Sequence, residues 1–251
     1  PLYSIPLRSL YSRNIENLFI AGRNASASHI AFASTRVMAT CALMGQAVGT
    51  AAAVCSRERL IPRQAAADKI EAIQEMLLKD DVYLLGHRDT GRGNLARQGS
   101  LKASSSVAGC EAANLLDGIN RPQGESSHSW KSSNPAGEDT WLEISWKEKQ
   151  RIGRLQLLFD SHLEERLFLT QESFFYQRDH VITRIPERLV KAFKIQVFTD
   201  GDWQTVRSVK NNIRRRCVEE FSPMLHTDRI RLVFTETWGS RVVTLVSLDM
   251  R

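Results

Sequence analysis

Residues Asn17-Leu18-Phe19-Ile20-Ala21-Gly22-Arg23 form a short apolar run that ends on a glycine and then a guanidinium. A strand, a glycine turn, a polar loop and a helix of small residues make a place where backbone N–H groups face a ligand. The amino end of such a helix favours anionic or electron-rich atoms. Arg8 and Arg36 suit either the orientation of an anion or structural ion pairs. His29 sits in the polar loop, where an imidazole serves as a proton donor or as an ordinary surface hydrogen-bonding group. Cys41 falls at the start of a helix, a position that activates an exposed thiol; the apolar letters around it suit a small buried side chain better. The four cysteines, Cys41, Cys55, Cys110 and Cys217, form no CxxC pair. Neither a zinc ribbon nor a dithiol redox motif is written here, and disulfides are permitted without being demanded.

The elements that must hold these groups fall into two regions. Residues 1 to about 60 are rich in Ala, Ser, Gly and Thr, and Val37 to Cys55 carries no charge over about 19 residues. That length suits a bilayer, and Gly45 and Gly49 form a GxxxG pair. The Ala content, Thr40, Gln46 and Thr50 point instead to a soluble helix buried on all sides, so no membrane span is expected. From Pro62 to Leu85, Ile70, Ile73, Leu77 and Leu78 share one helical face. Gly86, Gly91 and Gly93 mark a linker over 86–93. Beyond it, strand-like runs at 141–146, 152–159, 193–198, 229–235 and 242–248, separated by turn residues, predict a β-sandwich or jelly roll. The fold class expected is therefore α+β: a partial α/β segment over 1–85, the linker, and an all-β sandwich over 94–251.

The 42% hydrophobic and 25% charged content excludes a disordered or fibrous chain. A net charge of +6, spread along the chain and without a stacking platform, makes nucleic acid an unexpected partner. Arg214-Arg215-Arg216 reads as a solvated strand edge or loop. Pro1 to Leu10 has no charged region followed by an apolar run, so no signal peptide is read there. The chain is expected to be the C-terminal part of a longer protein or a processed product of one; its compartment is not legible.

Ile5-Pro6-Leu7-Arg8-Ser9-Leu10, the Asn17–Arg23 block, Ser28-His29, Arg36 to Cys41, and Gly45-Gln46-Ala47-Val48-Gly49-Thr50-Ala51-Ala52 occur in an order and spacing that resembles the C-terminal end of FAD-dependent oxidoreductases of the two-dinucleotide-binding-fold type. The resemblance covers about residues 3–54. It implies that Gly22 and Arg23 lie beside the FAD diphosphate and ribityl chain, and that the helix starting near Thr40 aims its amino end at the flavin. Arg36, Thr40 and Cys41 join that cofactor-binding set, and Gly45 and Gly49 let the helix pack tightly on its neighbours. His29 and Arg8 become the catalytic candidates. No GxGxxG occurs, so the half-site for the ADP moiety is expected from a missing N-terminal portion, and the chain alone is expected not to bind FAD usefully.

Asn94-Leu95-Ala96, Ala103-Ser104-Ser105, Leu116-Asp117-Gly118-Ile119-Asn120, Trp130, Trp141 to Ile144 and Arg231-Leu232-Val233 are similar to discoidin-type, galactose-binding-like jelly rolls. The resemblance implies two possible sites. One is a structural Ca²⁺ held by the turn of Asp117 and Asn120, with Asp249 as a further ligand; a metal-free Asx turn is the alternative. The other is a sugar site using His128 and Trp238, with Trp130 and Trp141 in the core. The stretch 161–188 is long for a loop of that fold, and its Phe174-Phe175-Tyr176 cluster is expected to dock on the flavin domain. The function expected is the C-terminal portion of an FAD-dependent oxidoreductase with an accessory sandwich. The alternative is a carbohydrate-binding module carrying a structural flavin-domain remnant.

Overall fold

The computed structural model describes residues 3–124, 126–164 and 185–251. They divide into two compact units, Pro1–Thr90 and Gly91–Arg251. The Phe174-Phe175-Tyr176 cluster lies outside the described residues.

In the first unit a 3-10 turn at Leu7–Ser9 precedes four helices: α1 (His29–Thr35), α2 (Met38–Glu58), α3 (Pro62–Asp68) and α4 (Ile70–Lys79). The strand expected over 17–23 is reduced to a single bridge between Tyr11 and Phe19. Its flanks are the Ser12 N–H donating to the Leu18 carbonyl and the Ile20 N–H donating to that of Leu10, both at 2.9 Å. Pairing stops there because Gly22 turns the chain at φ +87°, a conformation that strains any side chain.

The single helix expected from Pro62 to Leu85 is two. Gln64 Oε1 accepts from the Ile61 N–H at 3.0 Å and Pro62 fills the first helical position, so α3 starts cleanly. Lys69, at φ −127°, interrupts the ladder. Its ammonium lies 2.6 Å from Glu58 at the end of α2. Asp81, at φ +66°, ends α4, and the Val82 N–H donates back to the Leu77 carbonyl at 2.9 Å. Val82 and Leu84 then return to the core of the unit.

That core is small: Ala51 and Val54 of α2, Ala65 of α3, and Ile73 and Leu77 of α4. It covers one side of α2 only, so the expectation of burial on all sides does not hold within this unit. Met38 is 86% exposed and Leu43 52%. A Cβ built at Gly45 or Gly49 meets nothing within 4 Å, so the close packing expected there is absent from the unit. By length and composition alone α2 also passes the test for a bilayer-crossing helix.

The second unit is antiparallel throughout. Its strands are β1 (Ser100–Ala103), β2 (Trp130–Pro135), β3 (Trp141–Phe159), β4 (Val190–Thr199), β5 (Asp202–Val209), β6 (Arg216–Thr237) and β7 (Val242–Met250). The hydrogen-bonded order is β2-β7-β3-β6-β4-β5, with β1 on β3. The runs expected at 141–146 and 152–159 are one strand. Its exposed middle, Lys147 to Lys149, lies at register shifts against β6. The first half of β3 pairs with β1 and the later half of β6; its second half pairs with β7 and the earlier half of β6. The two long strands thereby pass from one layer of the sandwich to the other.

Between the layers Trp130, Phe159, Phe193 and Phe234 are at most 1% exposed, with ring centroids 5.6–6.5 Å apart along their contacts. Trp141, expected in the core, lies half-buried on the outer face, where the Arg231 guanidinium sits between it and Trp203 at 4.7 and 4.1 Å from the ring centroids. All four cysteines are free. Burial pushes the Cys217 thiol up to about 11, helped by the neighbouring Glu219 charge.

Candidate functional site

Two separate places hold the chemistry-bearing side chains, one in each unit. In the first, Arg8 is exposed on the Leu7–Ser9 turn. Gly22 accepts from the Ala25 N–H at 3.1 Å, which closes a tight turn with Arg23 exposed at its tip. Ser28 caps α1 by accepting from the Ala31 N–H at 3.4 Å, and His29 is the first, exposed residue of that helix.

Arg36 ends α1, its guanidinium 5.7 Å from the Phe32 ring centroid. The Cys41 thiol donates to the Thr35 carbonyl at 3.6 Å, so Cys41 fastens the corner between α1 and α2. Thr40 is half-buried beside it in the first turn of α2. Val37, the residue before that turn, offers no side-chain cap, which leaves the amino end of a 21-residue helix to be satisfied from elsewhere.

A cavity of about 550 Å³ lies beside these groups, lined by Tyr3, Ile5, Leu10, Ile30, Thr35 and Met44 among others. None of the catalytic or cofactor-binding candidates lines it, although Ile5, Pro6, Ser9 and Leu10 of the first resembling block do. Its walls are scattered apolar residues and small hydroxyl or methyl side chains, none of which signals a site in isolation. Arg8 instead borders a second cavity of about 450 Å³, against Tyr11, Arg63 and Ile73.

In the second unit, Asp117 ends a 3-10 turn at Ala112–Leu116. Its Oδ1 accepts from the Ile119 N–H at 2.7 Å, and its Oδ2 lies 2.6 Å from His128 Nδ1. Both carboxylate oxygens are thus engaged, in an Asx turn with a histidine attached. The Asn120 carbonyl accepts from Arg121 Nη1 at 2.7 Å. Asp249 sits on β7 opposite Gln156, with its carboxylate 2.9 Å from Arg251 Nε. Among the described residues no three of His, Cys, Asp and Glu cluster as metal ligands.

Trp238 has its indole N–H donating to the Asn212 carbonyl at 2.7 Å, and its ring packs on the core with the Lys191 ammonium 5.4 Å away. It is half-buried and anchors a loop through that bond, away from the lining of the cleft described next.

His128 and Asn120, by contrast, meet in one cleft of about 270 Å³. Sequence reasoning missed its other charged residues, Arg121, Lys131, Asp160, Glu164, Arg188 and Arg215, among the described residues. Lys131 projects from β2, next to the buried Trp130. Arg215, from the triplet read as solvated, donates to the Phe159 carbonyl at 2.7 Å. Arg188 lies 3.4 Å from Asp160 and 2.5 Å from Glu164. Burial pushes the Glu164 carboxyl up, but its own backbone N–H and Arg188 outweigh this and hold it below the usual range. These residues are far apart in sequence, and no local spacing signals that they converge.

Comparison with known proteins gives a different answer for each unit. Residues 1–77, less than a third of the chain, match the sequence profile of a family described as FAD dependent oxidoreductase. No curated protein matches the chain significantly. Among solved structures, a family 32 carbohydrate-binding module of C. perfringens NanJ in complex with galactose is similar at 10% identity and a TM-score of 0.45, covering 62% of this chain and 94% of that one. A chitosan-binding module of a Paenibacillus sp. IK-5 chitosanase/glucanase is similar at 19% identity and 0.45, covering 63% and 98%. A Streptococcus pneumoniae fucose binding module is similar at 12% identity and 0.46, covering 63% and 97%. The first unit thus carries an FAD-oxidoreductase-like segment over residues 1–77, and the second is an antiparallel β-sandwich.

Proposed function

We propose that the chain supplies one wall of the flavin site of an FAD-dependent oxidoreductase, completed by polypeptide N-terminal to it, with the sandwich as an accessory domain. The observation that carries this reading is the bare side of α2, where Met38, Leu43, Gly45 and Gly49 are exposed within the very segment that matches the oxidoreductase profile. A face of small residues admits close approach by a backbone or a flat ring, and leaving it in water forgoes burial of about 25 cal/mol per Å². Gln46 on the same face disfavours lipid as the cover.

The residues present fit the cofactor as a partial cradle. Gly22 is a turn that excludes a side chain, Arg23 offers an exposed cation for a diphosphate, and α2 presents an end without a side-chain cap. FAD bound there would supply hydride and electron acceptance. Arg23 would hold a diphosphate in register, and the amino end of α2 would stabilise negative charge near it. His29 and Arg8, both exposed, are the groups of this chain assigned to meeting substrate. Arg36 and Cys41 are assigned to shaping the corner that aims α2.

The test is the colour of two preparations. The longer protein should carry a visible flavin band that Arg23→Ala removes, whereas the purified 251-residue chain should stay colourless after incubation with FAD. A colourless longer protein overturns the flavin assignment. A yellow chain overturns its partial character, and flotation of the chain with lipid vesicles overturns the assigned cover of α2.

The cleft favours a second reading of the sandwich, as a carbohydrate-binding module. Its hydrogen-bonding groups, Asn120, His128, Ser129 and Thr244 among them, converge on a space of about 270 Å³. In this reading the Asp117 carboxylate holds the turn through the Ile119 N–H and positions His128 at the cleft.

A further inference from the structure

In the first unit, the stretch from Ser4 to Tyr11 borders a cavity of about 450 Å³ together with α3 and α4. Ile70, Ile73, Leu77 and Leu84 give the cavity an apolar floor. Arg8 and Arg63, both exposed, bring two guanidinium groups to its mouth.

Both cations are placed by the fold. The Ser9 hydroxyl donates to the Pro6 carbonyl at 2.7 Å and the Leu10 N–H to that of Leu7 at 2.9 Å, which closes the turn carrying Arg8. Leu7 packs on the core of the unit and Leu10 is 2% exposed, so the turn is held on both sides. Arg63, the second residue of α3, donates to the Arg13 carbonyl at 3.2 Å, with its guanidinium 5.8 Å from the Tyr11 ring centroid. Neither guanidinium has a carboxylate partner among the described residues.

Two unpaired like charges on one low-dielectric wall add their potentials, and an anion at that wall is attracted by both. A guanidinium fork matches the two oxygens of a carboxylate. The apolar floor adds burial that a bare inorganic anion cannot use.

We propose that this cavity binds a small amphiphilic carboxylate, its acid held by Arg8 and Arg63 and its hydrocarbon body laid on Ile70, Ile73 and Leu77. The proposal gives a chemical class to the group that Arg8 meets. It does not rest on the flavin reading, because every residue it uses lies within the first unit.

The experiment is calorimetric titration of the 251-residue chain with butanoate, hexanoate and octanoate, with octanol and sodium phosphate as controls. Octanoate should bind most tightly, each further buried methylene adding about fourfold in affinity, and binding should weaken as salt rises. Arg8→Met and Arg63→Met should each lose about tenfold. Ala66→Leu, which extends a side chain from the lining into the space, should abolish binding. All five tryptophans lie in the second unit, so unchanged helical ellipticity is the sign that a variant keeps the first unit folded. Octanol binding as tightly as octanoate overturns the acid in favour of a plain apolar pocket. Phosphate displacing octanoate at equal concentration, or an affinity indifferent to chain length, overturns the hydrocarbon in favour of a plain anion site. Binding to the chain that disappears in the longer protein overturns the small ligand in favour of a covering segment. Absence of octanoate binding overturns the proposal, while the flavin test above keeps its own outcome.

Discussion

Among the described residues, the first unit gathers five buried apolar side chains into its core and the second gathers twenty-five. Two of the five are alanines, whereas the twenty-five include Trp130, Phe159, Phe193 and Phe234 with all but 1% of their surface removed from water. At about 1.5–3 kcal/mol per large buried side chain, the sandwich has ample driving force of its own. The helical unit has little, and small domains with thin cores are marginal alone. One region is thus a self-sufficient domain. The other is built of residues whose value lies in being approached closely, and this chain leaves part of that surface bare.

The largest expected effect is on the sandwich. Phe234→Ala removes a ring in contact with three other aromatic side chains. It should cost about 3–5 kcal/mol, seen as an earlier denaturant midpoint by tryptophan emission while α2 ellipticity is lost at its usual midpoint. A midpoint shift shared by both signals would show that the two units unfold as one.

Glycine substitutions separate the regions by sign. At Gly99 a Cβ would lie 2.8 Å from Ile144 Cγ2 and 2.9 Å from the Ser145 carbonyl oxygen, so Gly99→Ala should destabilise the sandwich by about 1–3 kcal/mol. At Gly45 and Gly49 a Cβ meets open space, so Gly45→Ala and Gly49→Ala should each stabilise the isolated chain by about 1 kcal/mol. In the longer protein proposed above, the same two changes should lower flavin retention, because the added methyl groups would stand where the proposed covering surface comes. Loss of helix stability in the isolated chain would mean that the face is already occupied.

The smallest expected effect is electrostatic. Glu58 is held below its ordinary value of 4.5, first by its hydrogen bond from Lys69 and then by the Lys69 and Arg57 charges. A depressed carboxyl contributes stability above its unfolded value and loses it as pH falls through the folded one. Helicity of the first unit should therefore decline as pH drops below about 4.5, and Lys69→Met should flatten that decline. Because the pair is exposed, salt should shrink the difference.

Much of this architecture was readable from local pattern. The apolar face of Ile73, Leu77 and Leu78 predicted α4, and the alternation from Trp141 to Trp146 predicted the first half of β3. What escaped was long-range. Nothing local distinguishes two strands from one bent strand, since the exposed Lys147 to Lys149 read as a turn and prove to be a crossing between layers. Trp238 carries the letters of a sugar platform and spends its indole N–H on the Asn212 carbonyl. The cleft joins residues from Cys110 to Val246, a range over which spacing holds no information.

Residue order by itself determined the α-then-β division, the helical and strand periods, and the block pattern shared with flavin oxidoreductases, because each depends on side-chain types within a few residues of one another. Only the tertiary structure decided which faces stay wet, where the cations of the second unit converge, and which polar side chains are already committed to a protein partner. Those outcomes depend on contacts between segments a hundred residues apart, such as the Asn94 side chain, whose N–H donates to the Leu248 carbonyl at 2.8 Å. Chain folding sets such contacts all at once, through burial and hydrogen-bond satisfaction over the whole unit.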